Sequence, residues 1–377
     1  MKKLRKLLAM LTVAAMAASM LSGCAGSGAK ETAAPASEKA TEAATQASTE
    51  KTGESEGPTA QTPDGEVKKI AFITPQRLGD EGPVDLVYEG VKKASDEWKI
   101  EVRVVETQAG EYEESMRAMI NEGCTLVVAV FPELADAVAT VSKEYPEIDF
   151  IHAVSSAIGD NVAAVGCMYQ DSAFVMGAMA GLLTEVNKVA FITGVDNADG
   201  RAYYDGFVEG VQYVNPEIKD VPFNAIGDFE DAITAKEIAL SNYNSGCDVI
   251  FSGGGKNIFG IMEAVNEMGD GYYYLSCTGN YTTSDYYPGR IPACHYEDFP
   301  GALYDMVTQW YHGEFKAEMV AMQLKNGYFS CVMADEADCH IDQEIRDQVQ
   351  EIAEKVKSGE IVVKSMPALE SYVEYIK

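Results

Sequence analysis

The chain has 377 residues, with 59 acidic against 29 basic side chains and a formal charge of −30. That balance excludes a nucleic-acid footprint, since phosphates require a basic face, and it disfavours close approach to an anionic bilayer. The length is too great for one small core and fits two lobes of ordinary domain size, with most of the acids solvating helix faces.

At the N-terminus, Lys2, Lys3, Arg5 and Lys6 form a basic head, residues 7–20 an apolar middle, and Leu21-Ser22-Gly23-Cys24 a small-residue cleavage site. The apolar run is shorter than the roughly 20 residues a spanning helix needs. The ending resembles a bacterial lipoprotein signal, which implies cleavage before Cys24, a lipid thioether on its sulfur, and membrane contact through that anchor only. Residues 25–66 contain no aromatic and almost no large aliphatic side chain. Such a composition cannot offset its ordering entropy by burial, so a disordered tether is predicted over 24–66.

Residues 70–73 (IAFI) are an unbroken apolar run, as in parallel strands covered by helices on both faces. From Val84 the period changes: Val84, Val87, Val91, Ala94 and Trp98 recur at steps of three and four, predicting a helix that covers the sheet. Ligands of open α/β sheets bind at the carboxyl ends of the strands. The intervening turn, 74–83, is therefore the first candidate wall of a site, with Thr74, Gln76, Asp80 and Pro83 as candidate contacts.

A strand at 101–106 follows, then a helix carrying Tyr112, Met116, Met119 and Ile120, and an apolar strand at 125–131 ending in Phe131. A helix with Leu134, Val138, Val141 and Tyr145 leads to strands at 148–153 and 162–165. The helix over 173–183 carries Gly177 and Gly181 four apart; it is too short to span a membrane, so close packing on the sheet is expected. This alternation with short connections predicts a doubly wound parallel sheet.

The pattern then restarts. KVAFIT at 188–193 echoes KIAFIT at 69–74, and each is followed by a polar glycine-containing loop and a helix ending in Glu-Gly, at Glu89-Gly90 and Glu209-Gly210. Two lobes of one plan facing a common cleft are expected. The second continues with a strand at 221–225, a helix around 233–243, a strand at 248–251, a glycine turn at 253–255, a helix to Met268 and a strand at 272–277. The expected first lobe is 67–184 with 291–313 returning to it. The second is 185–290 with 314–377, including short strands at 319–324 and 328–333 and a helix at 341–356.

Several chemistries find no support. Gly253 to Lys256 (GGGK) lacks the earlier glycine and the following Ser or Thr of a P-loop, where Ile250 and Asn257 stand. The first turn lacks the G-x-G-x-x-G of dinucleotide sites, so the glycines, Gly254 among them, are read as close backbone approach to a small molecule or a tight turn. His152, His295, His312 and His340 have no partner at metal-ligand spacing, no nucleophile signature is present, and no cofactor is expected. Eight cysteines leave seven after lipidation of Cys24. Few or no disulfides are expected, with Cys331 and Cys339 left open as a pair. Tyrosines gather at Tyr203 and Tyr204, at 272–274, and in the loop of Asn280, Tyr281, Tyr286 and Tyr287, where each offers a flat face and a hydroxyl; core packing is the bland reading for 272–274.

From Ile70 to about Asp335 the chain resembles the basic membrane protein family of lipoproteins. Those proteins serve as substrate-binding components of ABC importers and include purine nucleoside receptors. The resemblance rests on the frame of Asp80 and Gly90, INEGCTLVVAVF at 120–131, VMGAMAGLLT at 175–184, and the KVAFITG, DGFVEGVQYVNP and GCDVIFSGGG that follow. It implies a type I periplasmic-binding-protein fold, two doubly wound lobes with a hinged cleft. After the frame aspartate the family has Ser-Phe-Asn, whose Phe stacks on the purine; here Gly82, Pro83 and Val84 stand. The family's ribose-binding aspartate falls near Thr278 and its lysine near Glu297, while the second-lobe aromatic is kept as Tyr203.

The expectation is therefore a lipid-anchored receptor on the extracytoplasmic face of a bacterial membrane. It would close on a small polar solute, a nucleoside or related compound by resemblance, and deliver it to an ABC permease and its ATPase. Thr74, Gln76, Asp80, Pro83, Phe131, Tyr203, Gly254, Asn280 and Tyr281 are its expected contacts, with Tyr203 supplying the flat aromatic face. An enzyme on the same lobes, or a surface sensor without transport, are the alternatives.

Overall fold

The computed structural model describes residues 68–79, 83–283 and 285–376. The signal segment, Cys24, the tether and the frame residue Asp80 lie outside these. The chain runs through β1 (Lys69–Thr74), α1 (Pro83–Trp98), β2 (Glu101–Glu106), α2 (Tyr112–Asn121), β3 (Leu126–Val130), a 3-10 turn (Pro132–Leu134) and α3 (Ala135–Glu144). Then come β4 (Asp149–Ala153), β5 (Ala157–Ile158), β6 (Val162–Cys167), α4 (Gln170–Leu183), β7 (Val189–Thr193), α5 (Ala198–Val214), β8 (Phe223–Ala225) and α6 (Ala232–Asn244). Next are β9 (Val249–Gly253), α7 (Asn257–Met268), β10 (Tyr273–Thr278), β11 (Ala293–Glu297), α8 (Phe299–Tyr311) and β12 (Met319–Met322). The chain finishes with β13 (Phe329–Met333), α9 (Gln343–Ser358), α10 (Leu369–Tyr372) and β14 (Glu374–Tyr375).

Two six-stranded sheets result, ordered β12-β6-β4-β3-β1-β2 and β13-β11-β10-β9-β7-β8. Counted within each lobe, the strand order is the same. All pairings are parallel in the first sheet and all but the β13–β11 edge in the second. The central strands are apolar on both faces because helices cover both: Ile70 to Ile73 and Leu126 to Val130 are fully buried. The fold is the type I periplasmic-binding arrangement.

The boundaries between the lobes differ from those read in the sequence. The strand expected to return to the first lobe, β11, pairs with β10 in the second sheet, and only α8 after it packs on α1, with Trp98 Nε1 donating to Thr308 Oγ1 at 3.3 Å. The strand expected in the second lobe, β12, pairs with β6 in the first. Helix α4, expected to lie on the first sheet, packs on α5 of the second lobe. A Cβ at Gly177 would stand 2.0 Å from Phe207 O, and one at Gly210 1.9 Å from Phe174 O. The physical reason is that α4 is buried nearly all round rather than along one stripe, so it requires cover from α5 and α9 as well as from the sheets. Near the C-terminus β14 pairs with β5 in a separate two-stranded sheet; two-residue strands carry too little periodicity to read.

The seven described cysteines are free thiols, Cys331 and Cys339 included. Burial pushes Cys331 up to about 12 and Cys339 to about 11. Among the described residues no helix is long and apolar enough to cross a membrane, and no group of three or more His, Cys, Asp or Glu is placed to hold a metal ion.

Candidate functional site

A cleft of about 1190 Å³ opens at the carboxyl ends of the strands. From the first lobe it is lined by Gln76, Arg77, Leu78, Gly79 and Pro83 after β1, Phe131 to Glu133 after β3, Val154 after β4 and Tyr169 after β6. The second lobe contributes Thr193 to Tyr203 in part, Gly227 to Glu230, Gly253 to Lys256, Thr278, Glu297 and Phe299.

Three of these lining residues hold left-handed backbones without being glycine: Phe131 at φ 77, Val154 at φ 58 and Thr278 at φ 73. For a β-branched residue such a backbone is an outlier, and strain of this kind concentrates at functional sites. At Phe131 the surroundings enforce it. Its N–H donates to Ala153 O at 3.0 Å, while the buried His152 donates from Nε2 to its carbonyl at 2.8 Å. Burial holds His152 below the usual histidine range, so the ring is neutral and can keep that single donor.

The floor is a buried polar chain. Ser172 Oγ lies 2.7 Å from His295 Nε2, His295 Nδ1 lies 3.2 Å from Tyr203 Oη, and Tyr203 donates to Glu297 Oε1 at 2.5 Å. Ser172 Oγ donates to Tyr169 O at 3.0 Å, so in the contact with the imidazole it is His295 Nε2 that donates to Ser172 Oγ. His295 thus bridges the hydroxyls of Ser172 and Tyr203, and its Nδ1 also lies 3.5 Å from Glu297 Oε1. Glu297 is only 3% exposed, yet its second oxygen, Oε2, bonds to no described residue.

Asp199 stands one helical turn before Tyr203 on α5, so both project from one face. Asn197 fixes that turn as N-cap, its Oδ1 accepting from Gly200 N at 2.9 Å. Burial, and then the charge of Glu297, push Asp199 up to about 6. Burial acts first on the phenols too, and the neighbouring Glu297 charge adds to it at Tyr203, which is held well above the usual tyrosine range.

The most exposed lining aromatic is Phe229, at 37%. Room for its ring explains two glycines. A Cβ at Gly194 would stand 2.2 Å from Phe229 Cδ1, and one at Gly255 2.5 Å from Phe229 O. Its loop is held from α7, where Asn257 N donates to Phe229 O at 3.2 Å and Lys256 pairs with Glu230 at 3.1 Å. The Gly253 to Gly255 turn thus serves close approach of protein backbone to a neighbouring loop.

Of the residues chosen from sequence, Gln76, Pro83, Phe131, Tyr203 and Gly254 line the cleft. Asp80 lies outside the described residues. Thr74 does not reach the cleft: it is fully buried, and its hydroxyl accepts from Gln76 N at 3.1 Å. Asn280 is exposed, off the cleft lining, and held by its own loop, accepting from Thr282 N at 3.1 Å and Thr282 Oγ1 at 2.7 Å. Tyr281, 6% exposed, borders only a void of about 10 Å³ beside Pro83 and Gly255. Tyr203 offers no free flat face either, being 4% exposed and stacked on Tyr169 with centroids 4.0 Å apart. Asp199, Phe229 and Glu297 were not chosen. The carboxyl-end rule, applied to β8 and β11 as well as to β1, would have reached the last two.

Two lobes of identical strand order, joined by several crossings and open at their carboxyl ends, define the type I periplasmic-binding class of fold. The chain belongs to the family of PnrA-like ABC transporter substrate-binding proteins, whose sequence profile matches residues 67–366. Among relatives, basic membrane protein A1 of Borrelia garinii subsp. bavariensis is 24% identical over 320 residues, 83% of this chain and 93% of that protein. The ABC transporter nucleoside-binding protein BmpA of Lactococcus lactis subsp. cremoris is 31% identical over 163 residues, 42% of this chain and 46% of that one. A solved ABC transporter solute-binding protein from Aeropyrum pernix K1 shares the fold with a TM-score of 0.68 at 19% identity, covering 81% of this chain and 95% of that one.

Proposed function

We propose that the protein is a lipid-anchored receptor on the extracytoplasmic face of a bacterial membrane. It closes its lobes on a small polar solute with a flat ring, a class that includes nucleosides, and delivers it to a permease and its ATPase. The cleft of about 1190 Å³, walled by the carboxyl ends of both sheets, carries this reading. Its volume is that of a small-molecule site. The exposed ring of Phe229, with Phe131 also on the lining, supports a ring-bearing solute, as does the name of the Lactococcus relative. Gln76, Pro83, Phe131 and Gly254 are the contacts assigned around it, and Asp80 keeps its assignment from the family frame.

A thermal-shift screen of nucleosides, bases, sugars and amino acids tests the receptor role. A bound solute at about 100 times its Kd raises the melting temperature by about 5 °C and is recovered chemically unchanged. Turnover of the stabilising compound would replace the receptor by an enzyme. The anchor is tested separately: Cys24→Ala is expected to move the protein from membrane to soluble fractions with an intact fold, and retention in the membrane would refute the anchor.

A further inference from the structure

We propose that residues 361–376 form a strap that links the two lobes a fourth time and limits how far the cleft opens. The proposal rests on the receptor reading for its use, but not for its geometry.

Three connections join the lobes: β6 runs into α4, β11 into α8 and β12 into β13. A fourth follows α9, which packs on α4 beside the second lobe. The chain first stays on that lobe, with Ile361 N donating to Lys355 O at 3.0 Å and Val363 buried. Glu209 of α5 then holds it. This one carboxylate accepts from Lys364 N at 2.8 Å, from Ser365 N at 3.1 Å and from Ser365 Oγ at 3.1 Å, and hydrogen bonds to a charged acceptor are the strong ones. Glu209 belongs to the Glu-Gly pair that both lobes repeat. Its counterpart on α1, Glu89, is exposed, and the strap is what sets the two apart.

The far end is fixed to the first lobe. Tyr372 Oη donates to Cys167 O, at the end of β6, at 2.9 Å, and a Cβ at Gly166 would stand 3.0 Å from the Tyr372 ring. Glu374 N donates to Ser156 O at 2.9 Å and Ile376 N to Ile158 O at 2.8 Å, which pairs β14 with β5. β5 in turn folds back on β6 through the Gly159–Val162 bridge. Ile376 packs on the first lobe's own apolar cluster, which includes Phe150 and Val162. The family profile ends at residue 366, so this whole first-lobe anchor lies beyond it.

The length between the anchors sets the limit. Six residues, 366–371, separate Ser365 from Tyr372, and α10 winds Leu369–Tyr372 into a single turn. Unwinding that turn gains about 2 Å per residue, or about 8 Å in all, the difference between helical rise and extended chain. The cost is small, because α10 buries no residue and one turn is marginal by itself. Wider separation has to break an anchor, either the Glu209 bonds or the strand pairing with its Ile376 contact. Lobe opening is therefore free over a short range and resisted beyond it.

The test measures the distance between the lobes in the full chain without solute. Nitroxide labels are placed on ketone side chains, since the seven described cysteines are free thiols, at the exposed Asp136 of α3 and Ile233 of α6. These positions flank the opposing rims at Glu133 and Glu230. Pulsed electron-spin distance measurement is expected to give a bounded distribution in wild type. Glu209→Ala frees one end of the strap and Ile376→Asp the other, so each should add a population longer by about 5 Å or more. Melting curves check that both fold; if Ile376→Asp does not, Glu209→Ala, which trims a half-buried side chain, decides alone. A distribution unchanged from wild type in either folded variant would overturn the proposal, whatever happens to the melting temperature, because a merely local role moves stability and not the distance between lobes. No solute enters this measurement, so a blank solute screen would remove the receptor reading and leave the strap standing.

Discussion

The two lobes begin with nearly the same hexapeptide and part company immediately after it. β1 and β7 are both buried central strands, and each is followed by a turn and a helix whose Glu-Gly pair, inside the helix rather than at the end read from the sequence, lies against a covering helix. A Cβ at Gly90 would stand 2.4 Å from Pro300 O of α8, and one at Gly210 1.9 Å from Phe174 O of α4. The turns differ. In the first lobe the backbone is held by rim contacts, Gly79 N donating to Asp85 Oδ1 at 2.7 Å, and the helix begins at Pro83. In the second, Asn197 caps α5 and places Asp199 and Tyr203 on the face that meets Glu297. Duplicated strands and glycines set the frame; the chemistry sits in the unduplicated turns, so the first lobe lends the rim and the second the floor.

The largest effect is expected where the frame is tightest. Gly210→Val should destabilise the protein by about 3 kcal/mol or more, read from the urea midpoint, because a backbone carbonyl of a wholly buried helix cannot move aside. Gly90→Val should cost less, since Pro300 lies in the first turn of α8 and can shift. Equal costs would remove the asymmetry between the two helix pairs. Next in size is Tyr203→Phe, which leaves Oε1 of Glu297 and Nδ1 of His295 without their shared hydroxyl. About 1–3 kcal/mol should be lost, and a change under 0.5 kcal/mol by chemical denaturation, roughly the surface-substitution range, would mean the Tyr203 hydroxyl is not holding Glu297 and His295 together.

Asp199→Asn should have a smaller effect of opposite sign. Asp199 is raised from 3.8 to about 6, so the folded state holds a proton that the unfolded state gives up between those values. Its ionisation therefore lowers stability as pH rises from about 4 to 6, and the loss is complete above the folded value. The Asn variant should be more stable than wild type by about 1 kcal/mol at pH 7.5, the shift being discounted for partial exposure, with a shallower pH slope. Asp171, also raised to about 6 by burial, leaves a residual slope in the variant. An unchanged slope from pH 4 to 7 in thermal melts would show that Asp199 titrates normally. Smallest of all, Phe229→Ala should alter unliganded stability by less than about 1 kcal/mol, because the ring is half exposed; a larger loss would make Phe229 part of the lobe's frame.

Much of the frame was legible in the sequence because it follows from period. Apolar runs such as 70–73 and helix stripes such as Val84, Val87 and Val91 are dictated by burial on both faces of a sheet, and the repeated hexapeptide announced the second lobe. The crossings were not legible, since whether β11 or β12 joins one sheet or the other depends on pairing between residues far apart in sequence. In the site, Pro83, Phe131 and Gly254 were found because they follow strands, whereas Asn280 and Tyr281 were chosen by type and turned out to serve their own loop. Glu297 was visible as a departure from the family lysine but not as part of a buried polar network, because Ser172, His295 and Tyr203 come from separate elements far apart in sequence.

The most direct test of the division between rim and floor is calorimetric titration of the solute selected by the thermal-shift screen into wild type, Phe229→Ala, Asp199→Asn and Gln76→Ala. Affinity should fall about tenfold or more in the two second-lobe variants and by less than about threefold in the first-lobe variant. Wild-type affinity in Phe229→Ala and Asp199→Asn, with the loss confined to Gln76→Ala, would contradict it.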